Sequence, residues 1–92
     1  MRTTYAVEFY APPPRDAADG LADGLATMAD DARRGGADVA YLGCVSLPED
    51  EVQFHLFEAT SSELLGRLLA LTGMNPERIV PAATTGFGPP PG

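Results

Sequence analysis

Hydrophobic positions along this chain recur at two spacings, and the switches between them mark out six elements. Tyr5, Val7 and Phe9 alternate with Ala6, Glu8 and Tyr10, the period of a half-buried strand made of good β-formers. Pro12-Pro13-Pro14 ends it. Asp16 then stands ready to cap a helix whose Leu21, Leu25, Met28 and Ala32 form one stripe, with Asp19, Asp23, Asp30 and Asp31 largely off it. The spacing of Asp30 and Arg34 suits a weak ion pair along that helix. Gly35-Gly36 supplies the left-handed backbone that stops it. Val39 to Leu47 predicts a second strand, and Pro48-Glu49-Asp50 a tight polar connection to a third, Glu51 to Glu58. Thr60-Ser61-Ser62-Glu63 is a capping box before Leu64, Leu65, Leu68, Leu69 and Leu71, and the helix it opens stops at Gly73. Gly66 inside that helix costs about 1 kcal/mol relative to alanine, which suggests close packing there. Arg78-Ile79-Val80 is a short last strand, and Pro81 places it at a sheet edge.

Strand, helix, strand, strand, helix, strand is the split βαβ order of ferredoxin-like domains. The expected class is therefore α+β: a four-stranded antiparallel sheet with two helices on one face, formed by residues 1–83 and followed by a Gly/Pro-rich tail, 84–92. Right-handed crossovers set the first and third strands side by side in the centre. In the third strand Val52, Phe54 and Leu56 point one way while Gln53, His55 and Phe57 point the other. A strand apolar on both faces needs cover on both, so the face away from the helices should meet a partner chain or a ligand. A homodimer is the expected solution. On that face we place Glu8 and Tyr10 of the first strand with Gln53, His55 and Phe57 of the third. Phe87, an aromatic between glycines in the tail, is a candidate to dock there or on a neighbouring subunit.

Composition narrows the chemistry. A chain of 92 residues makes one domain with a thin core. Thirteen acidic residues against six arginines, with no lysine, give a net charge of −7. That charge repels phosphate backbones and anionic membranes, so neither nucleic acid nor a membrane surface is an expected partner. Without lysine there is no Schiff base and no P-loop. Cys44 is the only cysteine, which excludes an internal disulfide framework or a thiolate cluster and fits a reducing, cytoplasmic setting. We read it as a small buried hydrophobe with no neighbouring cation to stabilise a thiolate. Glu8 interrupts the N-terminal stretch where a signal peptide needs an apolar core. No apolar run approaches the roughly 20 residues of a membrane span.

Tyr5-Ala6-Val7-Glu8, Tyr41-Leu42-Gly43 with Pro48-Glu49-Asp50-Glu51, Phe57-Glu58-Ala59 and the closing Gly73-Met74-Asn75-Pro76-Glu77-Arg78-Ile79 resemble a bacterial family of small ferredoxin-like domains of unknown function. Some of its members are described as nickel-binding. The resemblance spans roughly residues 5–83 and rests mostly on turns and caps. It implies a compact dimer holding a divalent metal such as nickel, or a small ligand, near the sheet. His55 and Glu8 are the candidate metal donors. One imidazole is little for nickel, so the site would need two copies meeting close to His55.

His55 is the residue on which the functional readings divide. In the first, a non-enzymatic dimer holds a small ligand or divalent cation on its open face through His55, Glu8, Tyr10, Tyr41 and Phe57; the plainer form of that reading has His55 only hydrogen-bonded to a neighbouring side chain or the partner subunit. In the second, the chain is a cofactor-independent monooxygenase, isomerase or cyclase built as a dimeric α+β barrel. His55 would then be the general base, and Tyr10 or Tyr41 would orient a carbonyl or phenol. Whether Tyr41 or Leu42 shares a face with His55 depends on the register of the second strand.

Overall fold

The computed structural model describes residues 2–10 and 16–85; Phe87 and the triproline lie outside them. The order is β1 (Thr3–Tyr10), α1 (Asp16–Arg34), β2 (Val39–Leu47), a single 3-10 turn (Pro48–Asp50), β3 (Val52–Ala59), α2 (Ser62–Leu71) and β4 (Arg78–Pro81). The four strands form one antiparallel sheet in the order β2-β3-β1-β4, with β3 and β1 in the centre.

The C-terminal end of α1 and the N-terminal end of α2 are closed by specific backbone and side-chain bonds. α1 ends where Gly36 adopts φ +97° and the amides of Gly36 and Ala37 return to the carbonyls of Arg33 and Ala32, so glycine meets a conformation that side chains resist. Asp30 and Asp31 pair with Arg33 and Arg34 three residues on, not four as the spacing of Asp30 and Arg34 suggested. At α2 the cap is Ser61: its Oγ accepts from the Leu64 amide at 3.1 Å. The cap thus sits one residue later than a box built on Thr60. Gly66 has room to spare, because a Cβ there would meet Ile79 at an ordinary 3.7 Å.

Tyr5, Val7 and Phe9 of β1, with Phe57 and Ala59 of β3 and Val39 of β2, pack against Leu25 and Met28 of α1 and Leu65 and Leu69 of α2. One face of the sheet is therefore the core. On antiparallel strands, directly opposed residues share a face, and the register sets His55 opposite Val7 and Phe57 opposite Tyr5. His55, Gln53 and Phe57 consequently lie on the helix side. This corrects the expectation that they point away from the helices. Glu8 is opposite Phe54 and Tyr10 opposite Val52, so these two do line the outer face.

Candidate functional site

The polar residues that meet on the helix side do so because β2 is irregular. Its ladder with β3 pairs Tyr41 with Phe57 and Cys44 with His55, with a register shift between Tyr41 and Gly43. Residues 41 and 44 would point to opposite faces of a regular strand. The bulge turns both toward the helices, and glycine permits it: Gly43 holds φ +150°, an arrangement that strains any residue with a Cβ.

At the centre sits His55, fully buried. The Tyr41 hydroxyl is 2.9 Å from Nδ1, and Gln53 Oε1, two residues along the same strand, is 2.9 Å from Nε2. With the Gln53 amide so oriented, the imidazole carries its proton on Nε2 and donates to Gln53, while Nδ1 accepts from the phenol. Phe9 meets the ring edge-on at 5.6 Å, and Tyr41 also packs against Phe57. Burial holds the imidazole pKa down to about 4, and burial first, with the nearby Cys44 and Asp23 adding to it, holds the Tyr41 phenol up at about 12. The pair is thus a neutral imidazole and a neutral phenol, each engaged with its neighbour.

Cys44 is the residue that sequence reasoning missed. Its thiol is exposed, not buried, and lies 3.8 Å from His55 Nε2 and 4.0 Å from Ser46 Oγ. Burial around the sulfur still raises its pKa. Thiol and imidazole are pushed in opposite directions, so both stay neutral and no thiolate–imidazolium pair forms. Only the bulge, invisible in a hydropathy pattern, brings Cys44 to His55.

Glu8 and Tyr10 stand on the other face, away from the imidazole. The Glu8 carboxylate accepts from Arg78 Nε at 2.6 Å, and the Tyr10 hydroxyl donates to Glu51, which raises the phenol's pKa. The expected nickel donors His55 and Glu8 therefore never meet in one protomer. The imidazole is itself fully buried, with both nitrogens engaged. Among the described residues, no three histidine, cysteine, aspartate or glutamate side chains are grouped to hold a metal ion. These residues do not fit a nickel centre.

Around Glu8 and Tyr10 the outer face is mostly apolar. Ala6 pairs with Leu56 and with Val80, and Phe54 lies between Glu8 and Val45. Leu56 and Ala6 are buried, Phe54, Val52 and Val80 half-buried, and Val45 and Leu47 exposed. No described helix is long and apolar enough to cross a membrane. Comparison of the chain with family models, with curated proteins and with solved structures gives no match in any of the three.

Proposed function

We propose that this is a ferredoxin-like binding module that works as a homodimer, joined through the outer face of its sheet, and that the buried histidine serves the fold. The supporting observation is the split of polarity between the two faces. Both helices shield the side that carries His55, while the side that carries Phe54, Leu56, Val45 and Val80 has no helix against it. Charge is divided in the same sense. The acids Asp23, Asp30 and Asp31 belong to α1, whereas at the outer face Glu8 is matched by Arg78 and Glu58 shares Arg2 with Asp38. Two copies of a chain with net charge −7 meet with least repulsion through that balanced face.

The available area supports a dimer of modest strength. Strands about 4.8 Å apart and residues about 3.3 Å along each give roughly 400–500 Å² of sheet per copy. Face to face, two copies bury on the order of 1,000 Å², the lower end of specific interfaces. A small ligand held in this layer would contact Phe54 and Leu56 and the Glu8–Arg78 pair, not His55.

The catalytic alternative finds less support. That reading has Tyr41 orienting a substrate carbonyl or phenol, whereas its hydroxyl lies 2.9 Å from His55 Nδ1, and a fully buried base with both nitrogens engaged touches no substrate. Tyr10 is on the opposite face. Isotope-filtered NMR on a mixture of labelled and unlabelled protein tests the proposal: contacts between copies should involve Phe54, Leu56 and Val80. Contacts through the helices, or none at millimolar protein, would overturn it.

A further inference from the structure

The two edges of the sheet are unlike. β4 is four residues long, carries Arg78 in an ion pair and ends on Pro81, devices that blunt an edge against further pairing. β2 is nine residues long, VAYLGCVSL, with neither charge nor proline. Among the described strands only β3 pairs with it. Of the five exposed large hydrophobic side chains among the described residues, Leu42, Val45 and Leu47 belong to this strand, at 48%, 38% and 40%, while Tyr10 and Leu71 lie elsewhere. A bulge interrupts β2 between Tyr41 and Gly43, and from Gly43 to Leu47 its register with β3 runs without a further shift.

We propose that this edge binds an extended peptide from a partner protein by strand addition, with the peptide's backbone completing the ladder along Gly43–Leu47. Alternate main-chain groups of an edge strand point outward and give such a complex its affinity, while side chains on the two faces give it selectivity. On the outer face the peptide meets Val45 and Leu47, so its residues there are apolar. On the helix side it meets the exposed Cys44 and Ser46, so its residues there are small or hydroxylated.

Charge selects the occupant. From residue 38 to residue 51 the chain has Asp38, Glu49, Asp50 and Glu51 and no arginine. Arg2 is shared between Asp38 and Glu58 and Tyr10 engages Glu51, while Glu49 and Asp50 stand beside the end of the strand. A second copy would bring the same two acids and another net charge of −7 to this edge. A peptide with an apolar alternation and basic residues at the end that meets Glu49 and Asp50 complements it. The ladder of this edge adjoins the face assigned above to the dimer and shares Val45 with it, so the methylated peptide, which leaves the protein unchanged, is the control that lets either assignment fail alone.

The test uses the full chain and a fluorescein-labelled synthetic peptide in which arginine pairs flank alternating valine and threonine. Fluorescence anisotropy should show saturable binding, and amide hydrogen exchange should slow within Gly43–Leu47. Methylating alternate peptide nitrogens, replacing the arginines by glutamates, or introducing Val45→Lys in the protein should each weaken binding about tenfold or more, the loss of roughly one good interaction. Equal binding of the methylated or the glutamate-flanked peptide would overturn the proposal. So would protection confined to other segments, or self-pairing of β2 in place of peptide capture.

Discussion

His55 stays neutral across the physiological range because its surroundings cannot accommodate a charge. Its pKa is about 4 in the folded chain against about 6.5 in an unfolded one. Between those two values the unfolded chain binds a proton that the folded chain refuses, so stability rises with pH through this window. Denaturation midpoints should therefore fall as pH drops from about 6.5 to 4 and receive no further contribution from this residue below that. The whole effect is at most about 3 kcal/mol. NMR titration of the imidazole checks it, and a pKa near 6.5 would contradict the sealed arrangement. Tyr41→Phe removes the donor to Nδ1 and leaves a buried acceptor without a partner, at a cost of about 1–3 kcal/mol in urea unfolding. A loss below a few tenths would mean that water reaches the ring. The sequence made His55 conspicuous, yet gave it the wrong surroundings. Gln53 and His55 are polar residues at alternating positions and so look like a solvent-facing side. The structure buries them because each satisfies the other, with Tyr41 supplying the remaining bond.

At the scale of elements, order and extent were readable from periodicity, because helix and strand spacings differ and glycines close both helices. Leu25 and Met28, picked out by the stripe, are core residues. Cap identity was less legible, since Thr60 and Ser61 carry the same hydroxyl chemistry one residue apart. The structure chooses Ser61, so Ser61→Ala should cost about 1 kcal/mol of stability and Thr60→Ala little, as chemical denaturation of the two variants would show. Least legible was the β2 bulge. No hydropathy pattern announces a shift of one residue, yet that shift decides which side chains meet His55. Gly43→Val should force a β-branched residue into φ +150° and destabilise the protein by roughly 1–3 kcal/mol. If melting is unchanged, the bulge is not held in this conformation. A strand freed of its bulge would also send Cys44 to the outer face, which faster labelling by a thiol reagent would reveal.

For the molecule as a whole, the sequence argued correctly that β3 is apolar on both sides and that the helices cover only one. It assigned the two sides the wrong way round. Val7 and Phe9 anchor the core, and the pairing of Val7 with His55 carries the histidine inward with them. What remains outside is a mostly apolar field around the half-buried Phe54, on the face opposite the two described helices. A domain of 92 residues has little core to spare, and covering this field by association adds burial that the monomer lacks. Association should therefore stabilise the fold, so the thermal midpoint should rise with protein concentration. Sedimentation equilibrium of the full chain, alone and with Phe54→Arg, tests this most directly. The account predicts a dimer that Phe54→Arg converts to a folded monomer; a wild-type chain that stays monomeric at millimolar concentration, or a dimer that Phe54→Arg leaves intact, would contradict it.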